Sequence, residues 1–319
     1  MTQFKRGISG SAMQELAILA GQENSWFADL LALWAPSGVP SGTHGLRISI
    51  HDNQLDFYRN GNSIACITFD RGWVPSAKIA GAYTTEGGTG SMIWAGPKAV
   101  DRHIGMDVLC SWIERAQKYK KNDEKCCVDK LVGENIEVVE LEMALPRQSG
   151  KSIKSEKSSD GGAKRIDLVA AEQHGPGFRL VFWEVKLSND KRLVSNSDRP
   201  DRPEVLKQLK AYGEYLPKHC DEVLEAYQTT WQQLAQLSSM ANVIKTSRRL
   251  PLITLNPWIN KHENLLVDID RVPRLVIVQD GEWNKNWKVH RTKLSSYPCL
   301  EFEKGQSMEL RSMSLPQDH

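Results

Sequence analysis

Two apolar runs broken by charge constrain this chain more than any other feature of it. In FRLVFWEVKL, residues 178–187, alternate side chains of an extended strand share a face, so Leu180, Phe182, Glu184 and Lys186 point one way. An acid and a lysine at the end of an apolar row are costly unless they find partners there. The same oddity recurs in RIDLVAA, residues 165–171, where Asp167 sits among Ile166, Leu168 and Val169. Two adjacent strands that each present one carboxylate can hold a hard divalent cation between them. Lys186, two residues beyond Glu184, then reaches an attacking water or a phosphate oxygen.

The surrounding periodicities place these strands in an ordered series. Leu16, Leu19, Phe27, Leu30, Leu31 and Trp34 recur at helical spacing from about 11 to 34, where Pro36 stops the pattern. From 46 to 69 the runs LRISI, QLDFY and SIACITF alternate and are separated by Asp52-Asn53 and Asn60-Gly61-Asn62, which predicts a three-stranded meander. Gly87, Gly88 and Gly90 mark a loop, and Pro97 a boundary. Helices are predicted over 99–121 and 124–131, then a strand at IEVVELEMAL. The two charged strands follow, then helices over 203–216 and 221–246 and a buried strand at 274–280.

An Asp in one strand and Glu-x-Lys in its hairpin partner, here Asp167 and Glu184-Val185-Lys186, resembles the signature of the PD-(D/E)xK nuclease superfamily, which includes restriction endonucleases and RecB-type nuclease domains. The helix PEVLKQLKAYGEYL carries Gln208 and Tyr212, similar to the Q-x-x-x-Y element of RecB-like members. Residues four apart share a helix face. The resemblance covers roughly residues 99–280. It implies an α/β fold with a restriction-endonuclease-like αβββαβ core and a mixed central sheet. A small α+β N-terminal module of unknown role precedes it, so the chain divides into residues 1–97 and 98–319. It further implies a Mg²⁺-dependent nuclease, with Mn²⁺ as a substitute, that hydrolyses phosphodiester bonds in nucleic acid, DNA rather than RNA, in repair, restriction or phage defence. Asp167, Glu184 and the carbonyl of Val185 are then the metal ligands, and Lys186 orients the nucleophile. Gln208 and Tyr212 position substrate or water. Glu114 is the acid expected from the helix before the first strand, with Glu124 as its rival. A homodimer is compatible with this reading.

Plainer readings exist for each residue. Asp167 and Glu184 can be edge-strand charges facing solvent, and Tyr212 continues the packing stripe of Val205, Leu209 and Leu216. Glu114 can be an ordinary solvated helix residue. The other functional class is a nucleic-acid-binding protein with a nuclease-like fold and no catalysis. LPRQSGKS, residues 145–152, resembles a degenerate phosphate-binding loop, but the segment IKSEKSSDGGAK that follows has no apolar stripe from which to build the helix such a loop needs. Its lysines, Lys151, Lys154, Lys157 and Lys164, suit phosphate contacts or plain solvation.

Composition enters as a boundary on these readings. With 41 basic and 39 acidic side chains in 319 residues, the formal charge is +2, so any nucleic-acid surface has to be local. Six cysteines without C-x-x-C spacing argue against a disulfide frame, and eight histidines without H-E-x-x-H spacing argue against a zinc hydrolase. The absence of a leader-like N-terminus and of a long apolar run predicts a cytoplasmic protein without a membrane span.

Overall fold

The computed structural model describes residues 4–84, 90–97, 99, 104–119, 123–145, 165–194, 203–256, 259, 265–283, 285 and 287–310. They form a mixed α/β protein with two sheets and two compact units. One unit gathers Arg6–Val139 and Tyr227–Leu265, and the other gathers Met1–Lys5, Glu140–Ala226 and Leu266–His319. Neither unit follows a single cut near Pro97.

The first unit is built on an antiparallel sheet of β1 (Arg47–His51), β2 (Gln54–Arg59), β3 (Asn62–Asp70), β4 (Val74–Ala80) and β5 (Ser91–Ala95), paired in chain order. The β2–β3 turn has two residues, Asn60 and Gly61, with φ of 46° and 66°. Positive φ at both positions matches the right-handed twist of the flanking strands, and Asn-Gly reaches it at low steric cost. Strands β4 and β5 lie beyond the three-stranded meander expected from the sequence. Pro75 and Lys78 blur the alternation of β4, and β5 has only five residues.

The single helical stretch expected over 11–34 is two helices, α1 (Gly10–Ala20) and α2 (Trp26–Ala32). Ser25 restarts the helix: its backbone is extended and its hydroxyl accepts the N–H of Ala28. Every residue of α2 is buried. Helix α3 (Met106–Tyr119) inserts Leu109, Trp112, Ile113 and Ala116 into the same core. There Trp94 meets Trp26 and Trp112 edge to face at centroid distances of 6.0 and 5.6 Å. Helix α4 (Asp123–Glu134) contributes Asp129, which accepts from the buried guanidinium of Arg47 at 2.9 Å. The helices expected to open a C-terminal nuclease domain therefore belong to the unit of the first sheet. The later half of α6 (Cys220–Ser247) adds Leu234, Leu237, Ala241 and Ile244 to this core.

The second unit carries a mixed sheet of β6 (Val138–Ala144), β7 (Arg165–His174), β8 (Gly177–Leu187), β9 (Leu266–Ile269), β10 (Arg274–Val278) and β11 (Cys299–Phe302), ordered β11-β10-β8-β7-β6. β7 and β8 form an antiparallel hairpin, whereas β9 and β10 run parallel to β8 along its other edge. β9 lies beside Phe178–Leu180 and β10 beside Trp183–Leu187, so one long strand has two short partners in tandem. β8 is buried along nearly its whole length, as a central strand covered on both faces requires.

Arg274 locks the step from β9 to β10. Its guanidinium is fully buried, bonds Asp270 at 2.7 Å and Glu172 at 2.5 Å, and lies 5.3 Å from the centroid of the Trp183 ring. Helix α5 (Glu204–Tyr215) packs Val205 and Leu209 against Leu275 and Ile277 of β10, with Leu193 and Leu294 completing the cluster. β9, β11 and the short helix α7 (Trp287–Lys293) are elements that the sequence reading did not contain. Among the described residues no helix is long and apolar enough to cross a membrane.

Candidate active site

The two charged strands are hydrogen-bonded neighbours, and their carboxylates border one ammonium. The β7–β8 ladder runs from His174↔Gly177 to Leu168↔Trp183. One step further along the antiparallel register, Asp167 stands across from Glu184, and opposed residues of such a pair share a face. At this point a side chain takes over from the main chain: the carboxylate Oδ2 of Asp167 accepts the N–H of Val185 at 2.8 Å. On its other side Glu184 pairs in register with Leu275 and Lys186 with Ile277, which fixes both side chains on the face that α5 covers.

Lys186 is 1% exposed and Glu184 2%. Such burial leaves an ammonium tolerable only if its charge and donors are met. Here Nζ lies 2.6 Å from Oε1 of Glu184 and 3.5 Å from Oδ2 of Asp167. It also donates to the main-chain oxygen of Val185 at 2.6 Å. An ammonium has three N–H donors, and three oxygens from three different groups meet this one. They belong to the same three groups that the sequence reading assigned to a metal.

Tyr212 reaches the site from α5. Its hydroxyl lies 3.2 Å from Oε2 of Glu184 and also contacts the main-chain carbonyl of Arg165. Burial, together with the negative charges of Glu184 and Asp167, pushes its pKa well above that of an ordinary tyrosine, so the hydroxyl remains a donor. Gln208, one turn earlier on the same helix, is half-buried, and its Oε1 has no hydrogen-bond partner among the described residues.

Glu114 belongs to the other unit. It lies on α3 in the unit of the first sheet, half-exposed, with its carboxylate 2.9 Å from Nε2 of His44. A hydrogen bond from His44 lowers its pKa. Its rival Glu124 lies on α4 of the same unit. α3 buries its apolar face in the antiparallel core. The phosphate-loop candidate at 146–164 lies outside the described residues.

Two residues that passed as ordinary loop in the sequence border the site. After β8, Asp190 caps the single 3-10 turn Lys191–Leu193 by accepting the N–H of Arg192 at 2.8 Å. Burial works against the charge of Asp190. Bonds from Arg192 and the field of the Lys186 ammonium outweigh it and hold the acid below its usual range. Arg192 in turn favours the ionised form of Tyr212, opposing Glu184 and Asp167. The polar run SNDKR carries no periodic signal that would have marked these two.

Two carboxylate oxygens and a carbonyl are hard donors of the kind that Mg²⁺ and Mn²⁺ take, and in this fold they already face a common cation. The donor chemistry therefore fits a divalent metal held by Asp167, Glu184 and Val185. Among the described residues no group of three or more His, Cys, Asp or Glu side chains gathers. Comparison with protein-family models, with curated proteins and with solved structures returns no match.

Proposed function

We propose that the chain is a metal-dependent nuclease with a restriction-endonuclease-like core, hydrolysing phosphodiester bonds in DNA. The observation that carries this reading is the meeting of Asp167 Oδ2, Glu184 Oε1 and the Val185 carbonyl on one buried cation position. The arrangement of elements supports it: three strands, two helices and two short strands parallel to the third, in the order β6-β7-β8-α5-α6-β9-β10.

When bound, a divalent cation supplies Lewis-acid charge at the scissile phosphate. The chain's own groups do the rest. Asp167 and Glu184 would hold the cation between two hydrogen-bonded strands. Lys186 turns its ammonium toward the attacking water and toward charge developing on the phosphoryl oxygens. Tyr212 fixes the carboxylate of Glu184 through its second oxygen. Gln208 has a buried amide oxygen to offer a water.

The test is cleavage of labelled single- and double-stranded DNA and RNA by the wild type and Asp167→Asn, in Mg²⁺, Mn²⁺ or EDTA, beside gel-shift binding at fixed salt. Cutting of DNA that stops in EDTA and in the variant is the expected result. Tight binding with no cutting of any substrate in either metal overturns the nuclease reading and leaves a nucleic-acid-binding protein.

A further inference from the structure

The contacts of Lys186 raise a question that its usual assignment, a cation beside a bound metal, does not answer. Its Nζ does not stand beside the three oxygens; it bonds all of them, at 2.6 Å to Glu184 Oε1, 2.6 Å to the Val185 carbonyl and 3.5 Å to Asp167 Oδ2. A metal held by the same set at Mg²⁺–oxygen distances of about 2.1 Å has no room for an ammonium among its ligands. The two cations exclude each other.

We infer that Lys186 is a resident counter-ion that a divalent metal must displace, so that metal entry and release of the lysine are one exchange. This rests on the nuclease reading and adds a regulatory consequence to it. Two carboxylates facing each other in a buried site repel, and an ammonium between them relieves that repulsion in the metal-free protein. A divalent ion carries the charge that both carboxylates require, and Lys186 is no longer needed there. The freed ammonium is then available for water or phosphate. The site thus withholds its lysine until metal arrives, at the expense of metal affinity.

Two measurements test this, neither of which depends on turnover. In the first, Mn²⁺ binding to the full chain is followed by electron paramagnetic resonance for the wild type, Lys186→Met and Asp167→Asn. Loss of the competing cation is expected to tighten Mn²⁺ binding on the order of tenfold or more, given the strength of charge interactions at such short range. The Mn²⁺-induced rise in melting temperature is expected to be larger in Lys186→Met than in the wild type, because the variant without metal lacks the ammonium between the two acids. In the second, which serves if Lys186→Met does not fold, the side-chain ¹⁵Nζ resonances of wild-type lysines are recorded while diamagnetic Mg²⁺ is added, with Lys186→Arg to assign the signal. The Lys186 signal is expected to move in step with Mg²⁺ binding measured by calorimetry.

If the wild type binds metal but Lys186→Met binds it no more tightly, or the Lys186 signal stays in place as Mg²⁺ saturates, the exchange is wrong and the nuclease reading stands. If neither the wild type nor Lys186→Met binds Mn²⁺, both fall together.

Discussion

The Tyr212 hydroxyl lies 3.2 Å from Oε2 of Glu184 while also contacting the carbonyl of Arg165, so one atom of α5 ties together β8 and the start of β7. Phenylalanine keeps the ring and removes that tie. Tyr212→Phe leaves a buried carboxylate oxygen short of a donor, and a loss of about 1–2 kcal/mol in unfolding free energy is expected. Cleavage should fall about tenfold or more, because the carboxylate becomes free to turn. Denaturant unfolding and single-turnover cleavage measure the two separately, and full stability in the variant would show that the hydroxyl does not support the fold.

Asp167 does two things that different substitutions separate. Its charge serves the proposed metal, and its Oδ2 accepts the Val185 N–H at 2.8 Å. Asparagine keeps an acceptor oxygen and alanine does not. Both variants should cut at background rate, but Asp167→Ala should be the less stable by about 1 kcal/mol. Its Val185 amide should also exchange hydrogen faster. Asp167→Asn should bind nucleic acid at least as tightly as the wild type in metal-free buffer, since phosphate contacts elsewhere supply most of the affinity.

Gln208 is expected to show a trade between stability and activity. Its buried Oε1 lacks a partner among the described residues, and an unmet buried acceptor costs free energy. Gln208→Leu should therefore melt at the same temperature as the wild type or higher. Its cleavage rate should fall if the amide holds a water. A variant that is both less stable and fully active would assign Gln208 to packing alone.

Acid sensitivity should trace partly to Glu172, which accepts from Arg274 and Arg179. Burial raises its pKa, and the two guanidinium groups more than offset this, so the folded value lies below the ordinary 4.5. A depressed acid stabilises the fold above its unfolded value and loses that contribution as pH falls through the folded one. Glu172→Gln should cost about 2 kcal/mol near neutrality, and the gap to the wild type should close below about pH 4.5. A gap that stays constant through that range would show that the ion pairs are not its source.

The trio of Asp167, Glu184 and Lys186 was legible because charge inside apolar strand runs has few structural excuses, and period-two geometry then says which side chains share a face. Tyr212 was singled out only by the resemblance of its helix to the Q-x-x-x-Y element, since its spacing alone continues a packing stripe. Asp190 and Arg192 were not, since their nearness to Lys186 depends on how the chain turns after β8, and five polar residues encode no direction. Glu114 shows a different limit: its helix was foreseen, but the order of elements does not say which sheet a helix will cover. The break at Ser25 was hidden because apolar spacing continues in phase across residues 21–25 while the backbone does not. β9, with four residues, is too short for any alternation to be read.

The tandem pairing of β9 and β10 along one edge of β8 has a consequence for how the chain is made. During synthesis the β7–β8 hairpin can close early, yet the edge of β8 from Phe178 to Leu187 stays open until α5, α6 and everything up to Val278 have emerged. The antiparallel unit also waits, because its core includes side chains from Leu234 to Leu255. Folding from the N-terminus one domain at a time is closed to this protein. A nascent chain halted before Leu266 carries an unpaired, largely apolar strand, a template for pairing with its neighbours on a polysome. Ribosome-bound intermediates of this length should therefore be the aggregation-prone species, and full-length chains released from the ribosome should not.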